Sequence, residues 1–332
     1  MARILALYTG GTIGMEATPA GLAPAPGLLP QLMERLAEPG RTVEVVEYPD
    51  LIDSSAITVA HWNRLIDDLA EAWPRYDGFV VIHGTDTLAY TASVLAFALA
   101  GLDKPVVVTG AQLPLGEARS DGWANLSDAL LAASQPDLAE VVVAFDRQLL
   151  RGCRARKLDA ESFAGFSSPN APPLAEFGIT PRWYRSRWRQ PGKGLRPTRL
   201  SSDRVAAFFL TPGISSQLIG HTLGQTPLDG AVLMSYGNGN APADAALLEG
   251  VRRATARGTL VINLTQVVRG AAQFGAYAIS QPLAAAGALC GRDMTPEAAV
   301  AKLLLLASQH LTPQARREAF EEDWAGEVSA AA

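Results

Sequence analysis

Short apolar runs and longer amphipathic segments alternate along the chain. The apolar runs predict strands at residues 4–8, 43–48, 79–82, 106–108, 141–145, 205–210, 231–235 and 259–264. Between them, apolar side chains recur at spacings of three and four, which is typical of helices. Nearly continuous apolar strands separated by helices predict an α/β fold, in which a mostly parallel sheet is flanked by helices on both faces.

The alternation lapses between residues 166 and 202, where Pro, Gly and Arg dominate. Because 332 residues exceed what one hydrophobic core usually serves, we expect two domains. The pattern predicts a larger N-terminal α/β domain at 1–185, a linker at 186–204 and a smaller C-terminal α/β domain at 205–332.

Three of the predicted strands end in the same kind of turn. Segments 9–12, 84–87 and 109–112 each place glycine beside a hydroxyl-bearing side chain. Ligands of parallel α/β sheets bind beyond the carboxyl ends of the strands. The turns therefore predict one shared site. After the first turn, residues 16–30 are rich in proline and glycine, and we expect a loop that is either a lid or a passive connector.

Composition and charge exclude several classes of protein. A net charge of −5 argues against a general nucleic-acid binder, and two cysteines cannot form a disulfide framework. The four histidines are scattered, so we expect neither a metal nor a cofactor. The most apolar long stretch, 91–102, is too short to span a bilayer, and the N-terminus enters a strand without a signal region. We therefore expect a cytoplasmic protein that does not bind membranes.

The basic stretch, defined as residues 182–199, allows two interpretations. It contains seven basic residues and no acidic ones, with Trp183, Tyr184 and Trp188 among them. This composition could form a surface that binds RNA by stacking on bases. Alternatively, the arginine stems pack over the aromatic faces within the protein. The acidic chain as a whole favours the second interpretation.

The candidate chemistry centres on threonine. No dinucleotide fingerprint, P-loop or serine-hydrolase elbow is present. A threonine nucleophile needs a group that takes its proton, and a lysine, a tyrosine or a carboxylate could serve. Asp86 follows Thr85 directly, and the loop 151–157 supplies Lys157. His83, at the end of a buried strand, is interpreted as a structural histidine.

Four motifs stand out along the chain: Thr9-Gly10-Gly11-Thr12-Ile13-Gly14, Asp53-Ser54-Ser55, His83-Gly84-Thr85-Asp86-Thr87 and the loop 151–157. Together they resemble the bacterial L-asparaginase family, in particular its cytoplasmic, type I branch. Supporting segments run in the same order over nearly the whole chain. The resemblance implies hydrolysis of L-asparagine to L-aspartate and ammonia through an acyl-enzyme, by a homodimer or homotetramer. Within the enzyme class, a mixed glutaminase-asparaginase and an amidotransferase subunit stay open as alternatives. A catalytically silent or RNA-binding module, which belongs to another class of protein, also stays open.

The resemblance also assigns catalytic roles. It implies that Thr12 is the nucleophile and that Thr85, Asp86 and Lys157 form a second set, in which Lys157 receives a proton through Thr85. The backbone N–H groups of Gly11 and Thr85 are the expected oxyanion donors, since both lie in strand-to-helix turns.

The expected substrate-binding residues follow from the same match. Ser54 and Ser55, with Asp53 beside them, match positions that hold the substrate's carboxylate and amino groups. Asp86 also matches an amino-group contact, and Ala111 with Gln112 lines the amide end.

Two positions depart from the family pattern. Leu22 stands where relatives often carry a tyrosine that activates the nucleophile. Tyr277 is a candidate substitute, although a role in packing is the interpretation that we favour for it. Met234 stands where some type I relatives carry an arginine associated with allosteric asparagine binding, so allostery is in doubt.

Overall fold

The computed structural model describes residues 1–19, 21–274 and 281–329. It divides the chain into two compact units, Met1–Thr198 and Arg199–Ala332. Each has its own sheet and its own hydrophobic core. The predicted linker at 186–204 stays a prediction.

The first unit is built on an eight-stranded sheet with the order β13-β12-β9-β8-β7-β5-β1-β4. The five neighbouring strands β8, β7, β5, β1 and β4 are parallel, and β9, β12 and β13 extend the sheet with antiparallel pairs. The strands are β1 Ala2–Tyr8, β2 Met15–Thr18, β3 Gly21–Pro24, β4 Arg41–Glu47, β5 Gly78–Ile82, β6 Leu99–Ala100, β7 Val106–Thr109, β8 Val141–Phe145, β9 Gln148–Arg151, β10 Arg156–Lys157, β11 Phe166–Ser167, β12 Ala175–Phe177, β13 Pro181–Trp183 and β14 Arg196–Pro197.

Helices of this unit pack through buried apolar residues. They are α1 Leu28–Met33, α2 Val59–Ala72, α3 Leu88–Ala98 and α4 Gly122–Ala133. Strands β5, β7 and β8 are buried along their whole length, as their unbroken apolar sequences require. Their carboxyl ends therefore form a rigid edge on which side chains can be positioned.

The second unit contains a four-stranded parallel sheet with the order β15-β16-β17-β18. Its elements are β15 Val205–Phe209, α5 Ser215–Gln225, β16 Gly230–Ser235, α6 Ala245–Ala256, β17 Leu260–Thr265, α7 Gln281–Ala285, β18 Leu289–Cys290, α8 Pro296–Ala307 and α9 Pro313–Glu321. Together the two units confirm the predicted α/β fold with mostly parallel sheets.

The segment after the first glycine turn differs from the loop that its composition predicts. β2 and β3 pair as an antiparallel hairpin, in which Ala17 lies opposite Leu22. None of the helices within the described ranges is long and apolar enough to cross a lipid bilayer.

Candidate active site

The turns that follow β1 and β5 touch through their glycine backbones. Gly10 and Gly11 have φ angles of 133° and 100°, a region that favours glycine. A Cβ atom on Gly11 would lie 2.5 Å from the Gly84 Cα, and one on Gly84 would lie 2.5 Å from the Ser54 Oγ. Glycine at these positions thus allows three of the predicted motifs to meet at one place.

Thr12 directly follows this glycine pair and begins a short 3-10 turn, Thr12–Gly14. Its side chain is half-buried, whereas the next residue, Ile13, is completely buried in the core of the first unit. The Ile13 carbonyl accepts a hydrogen bond from the Leu115 N–H at 3.0 Å. Ile13 therefore anchors the turn and fixes the position of Thr12 at the end of β1.

Lys157 lies between a hydroxyl and a carboxylate. Its Nζ donates to Thr85 Oγ1 at 2.9 Å and to Asp86 Oδ1 at 2.8 Å. Thr85 is nearly buried, whereas the Asp86 side chain is 64% exposed. The backbone of Lys157 is held in β10 by its pairing with Phe166 of β11. The structure thus brings the three residues of the predicted second set into direct contact, with the carboxylate open to solvent and to ligands.

Gln112 reaches the same set from the turn after β7. The Thr85 hydroxyl donates to Gln112 Oε1 at 3.4 Å, and Gln112 Nε2 donates to the Ser162 carbonyl at 3.1 Å. The Gln112 N–H donates to the Asp121 carboxylate at 3.0 Å. These contacts orient the amide with its oxygen toward Thr85. The sequence did not indicate Ser162, which lies in an irregular loop, and it assigned no role to Asp121.

The serine loop is shaped by its own aspartate. Asp53 Oδ1 accepts the Ser55 N–H at 2.9 Å and caps the 3-10 turn Ser54–Ala56. The Thr87 hydroxyl donates to the Ser54 carbonyl at 2.8 Å, which ties this loop to the turn after β5. Ser54 is buried and Ser55 is exposed. The Asp53 carboxylate therefore has a structural partner within the loop.

Four other positions were named as candidates in the sequence. Ala111 is buried in the core, and Met234 is buried in β16. Leu22 lies in β3 with half of its surface exposed, and it has no hydroxyl to donate. Tyr277 lies outside the described residues. Within the described ranges, no group of three or more His, Cys, Asp and Glu side chains could hold a metal ion.

His83 is completely buried at the end of β5, and both of its ring nitrogens have partners. Nδ1 lies 2.7 Å from the Gly84 carbonyl oxygen, and Nε2 lies 3.0 Å from Thr91 Oγ1. Burial lowers the pKa of His83 to about 4, and the hydrogen bond to Gly84 offsets this only in part. The imidazole is therefore neutral in the folded protein at physiological pH.

This buried histidine predicts a loss of stability in acid. In the unfolded chain His83 titrates near its usual pKa of 6.5, so below that pH protons bind the unfolded state first. The stability that comes from keeping His83 neutral is complete above pH 6.5 and is lost as the pH falls toward 4. From this cause, the free energy of unfolding should fall by about 2 kcal/mol between pH 7 and pH 5. Urea unfolding at both pH values, for the wild type and His83→Gln, measures it.

The comparison with His83→Gln is needed because another buried group acts in the opposite direction. Burial raises the pKa of Asp128 to about 6, although Arg147 beside it favours the charged form. That carboxyl binds its proton first in the folded state, so it stabilises the protein as the pH falls below 6. An equal pH dependence of the unfolding free energy in wild type and His83→Gln would contradict the prediction for His83.

The basic stretch packs its arginines over its own aromatic rings. The guanidinium of Arg185 lies 4.7 Å from the ring centre of Trp188, and that of Arg187 lies 4.0 Å from the ring centre of Tyr184. Trp183 and Trp188 meet edge to face at 5.8 Å, and both pack against the core of the first unit. This packing favours the structural interpretation over RNA binding.

The fold and the cluster of Thr85, Asp86 and Lys157 define a two-domain α/β amidohydrolase. A lysine held between a threonine hydroxyl and a carboxylate lies beside a second threonine turn, at the carboxyl ends of parallel strands. The chain belongs to the asparaginase family. Residues 3–189 match the model of the N-terminal asparaginase domain, and residues 204–320 match that of the glutaminase/asparaginase C-terminal domain.

Individual relatives cover almost the whole chain. It is 41% identical to L-asparaginase 1 of Escherichia coli strain K12 over 98% of both chains. A crystal structure of L-asparaginase I from Vibrio cholerae is 40% identical, superposes with a TM-score of 0.91 and covers 99% of both chains. A 60 kDa lysophospholipase of Mus musculus is 39% identical over 98% of this chain and 62% of its own length.

Proposed function

We propose that this protein hydrolyses L-asparagine to L-aspartate and ammonia through an acyl-enzyme formed on Thr12. The observation that carries the proposal is the contact of Lys157 with Thr85 and Asp86. It lies at the carboxyl ends of the parallel strands, where Gly84 also touches the turn of Thr12. Similarity to proteins named L-asparaginase over almost the full chain supports the choice of substrate.

In the acylation step, the Thr12 hydroxyl oxygen attacks the carbon of the substrate's side-chain amide. Lys157, acting as the neutral amine, takes up a proton from the Thr85 hydroxyl as Thr85 takes up the Thr12 proton, while Asp86 accepts a hydrogen bond from the amine and orients it. The carbon–nitrogen bond then breaks, and the nitrogen leaves as ammonia after it receives that proton. An ester between Thr12 and the aspartyl group remains.

In the deacylation step, water attacks the ester carbon and gives up a proton to the same relay. The bond to the Thr12 oxygen breaks, aspartate leaves and the threonine hydroxyl is restored. The N–H groups of Gly11 and Thr85 stabilise the oxyanion of each step. Among the described residues, neither N–H takes part in a backbone hydrogen bond, so both are available.

The substrate's charged groups are bound by the surrounding loops in this proposal. Ser54 and Ser55 hold the carboxylate and the amino group, and the exposed Asp86 carboxylate contacts the amino group as well. Gln112, whose amide is oriented by Ser162, contacts the amide end of the substrate.

Two finer properties belong to the same proposal. Resemblance to the type I branch supports a cytoplasmic homodimer or homotetramer. A mixed specificity for glutamine is the second candidate function, since the matched C-terminal domain is described for glutaminases as well as asparaginases.

Ammonia release from asparagine and from glutamine tests the proposal. We expect saturable release from asparagine, and we expect Lys157→Met to lower kcat by about 10²- to 10³-fold because the proton relay is lost. Arg185→Ala is the matched control, since it removes a basic residue of the same unit that pairs with Asp137 at the surface.

The outcomes separate the candidates. Comparable kcat/KM values for the two amides would support the mixed specificity. A folded protein that releases ammonia from neither would contradict the proposed function. Loss of activity in Arg185→Ala with full activity in Lys157→Met would contradict the assigned site.

A further inference from the structure

A chain of three buried hydrogen bonds runs from α2 through α3 to the end of β5. The Trp62 indole N–H donates to Thr91 Oγ1 at 3.0 Å. Thr91 Oγ1 lies 3.0 Å from His83 Nε2, and His83 Nδ1 lies 2.7 Å from the Gly84 carbonyl oxygen. All three side chains are buried. This series of hydrogen bonds therefore ends on the peptide group that joins Gly84 to Thr85.

The chemistry of the two ends fixes where every proton of this chain lies. An indole nitrogen can only donate, so the Thr91 oxygen accepts from Trp62. A carbonyl oxygen can only accept, so His83 carries its proton on Nδ1. In the neutral ring Nε2 is then an acceptor, and it receives the Thr91 hydroxyl proton. Each bond polarises the next in the same direction, toward the Gly84 carbonyl.

The peptide group at the end of the chain also carries the N–H of Thr85. Peptide resonance couples the carbonyl oxygen to the amide nitrogen, so a hydrogen bond accepted by the oxygen makes the N–H a stronger donor. The peptide is confined as well, because a Cβ on Gly84 would meet Ser54 Oγ at 2.5 Å. The hydrogen bond from His83 to the carbonyl side of this peptide group thus fixes the orientation of the Thr85 N–H on its other side.

We propose that His83 is a positioning residue for the oxyanion: by donating to the Gly84 carbonyl, it orients the Thr85 N–H and strengthens it as a donor to the reacting substrate. Thr91 and Trp62 act through His83 by fixing its tautomer and ring plane. The inference rests on the proposed amide hydrolysis, in which the substrate oxygen gains negative charge.

A histidine that only fills the core would give a different kinetic result. The oxyanion exists in the transition state and not in bound substrate, so weakening its donor lowers kcat and leaves KM nearly unchanged. Removal of a whole oxyanion donor costs about 10²- to 10³-fold in kcat. Because His83 only strengthens such a donor, we expect His83→Leu to lower kcat about tenfold, with KM within about twofold of wild type.

Thr91 provides a matched pair of variants that leaves His83 in place. Thr91→Val keeps the shape of the side chain but cannot donate to Nε2, so we expect kcat to fall about threefold. Thr91→Ser keeps the hydroxyl and should retain kcat within about twofold of wild type. This pair decides the question if His83→Leu does not fold.

The protonation of His83 can be read without any turnover. Nitrogen-15 NMR of the histidine side chains distinguishes a ring with its proton on Nδ1 from one with its proton on Nε2. His83→Leu identifies the His83 signals by their disappearance, and if that variant does not fold, the signals that shift between Thr91→Val and Thr91→Ser identify them. We expect the Nδ1–H tautomer in the wild type and in Thr91→Ser.

Three results would overturn the proposal. An Nε2–H tautomer in the wild type removes its premise. If His83→Leu folds and keeps kcat within twofold of wild type, His83 does not have the proposed role. If His83→Leu does not fold, the same result in Thr91→Val leads to the same conclusion. In both cases turnover by the wild type still supports the proposed function. A folded wild type without turnover of asparagine or glutamine overturns both together.

Discussion

Replacing Thr12 with alanine is expected to lower kcat for asparagine hydrolysis by about 10⁴-fold or more, because no acyl-enzyme can form without the hydroxyl. The fold should survive, since the buried neighbour Ile13 and the glycine pair determine the turn. Substrate binding should also survive, because the groups proposed to hold the substrate, Ser54 and Asp86, are unchanged. Ammonia release at saturating asparagine measures the loss.

Thr12→Ser is the matched control, since it keeps a hydroxyl on the same turn and should retain measurable turnover. Mass spectrometry of acid-quenched enzyme during turnover should show an aspartyl adduct on the peptide that contains Thr12, and none in Thr12→Ala. If Thr12→Ala stays active and the adduct appears on Thr85, the two threonines have exchanged roles. Activity of Thr12→Ala without an adduct would point to direct attack by water.

The sequence predicts the central strands of the first sheet because they are buried on both faces. Residues 79–82 and 141–145 were predicted, and the strands are Gly78–Ile82 and Val141–Phe145. Continuous apolar runs leave few alternatives for such segments. The antiparallel extension through β12 and β13 was not predicted, because these strands have three residues each and their pairing is set by tertiary contacts.

Helix α5 shows how a tertiary requirement can hide a helix from sequence-based prediction. Its glycines and serines lower helix propensity, so no helix was predicted there. In the structure, a Cβ on Gly220 would lie 2.3 Å from the Ala246 carbonyl oxygen, and one on Gly250 would lie 2.1 Å from the Gly220 carbonyl oxygen. The glycines are needed where α5 and α6 approach closely, and the packing stabilises what the propensity does not.

The convergence of the candidate site could be predicted, but its hydrogen bonds could not. Parallel strands end at one edge of a sheet, so turns at 9–12 and 84–87 were expected to meet. The hydrogen bond from Gln112 to Ser162 joins residues 50 positions apart, and the one between Thr91 and His83 joins residues 8 positions apart. Such contacts depend on side-chain orientation, which residue spacing does not specify.

A buried ion pair in the second unit predicts the largest effect on stability. Lys302 of α8 and Glu327 are both completely buried, with Nζ donating to Glu327 Oε1 at 2.6 Å. Nζ also donates to the carbonyls of Phe320, at 2.9 Å, and of Glu322. Since every donor of the ammonium has an acceptor, the pair ties the segment after α9 to α8.

Lys302→Met should lower the free energy of unfolding by about 3–5 kcal/mol, because the Glu327 carboxylate is left buried without its counter-charge. Glu249→Gln, which breaks exposed pairs on α6, is the control and should leave the stability nearly unchanged. Urea unfolding measures both. The double variant Lys302→Met/Glu327→Leu should recover part of the loss, because it removes both charges and leaves only backbone groups without partners. Wild-type stability in Lys302→Met would show that water or a rearranged C-terminal segment satisfies Glu327 at no cost, and the pair would then not hold this segment in place.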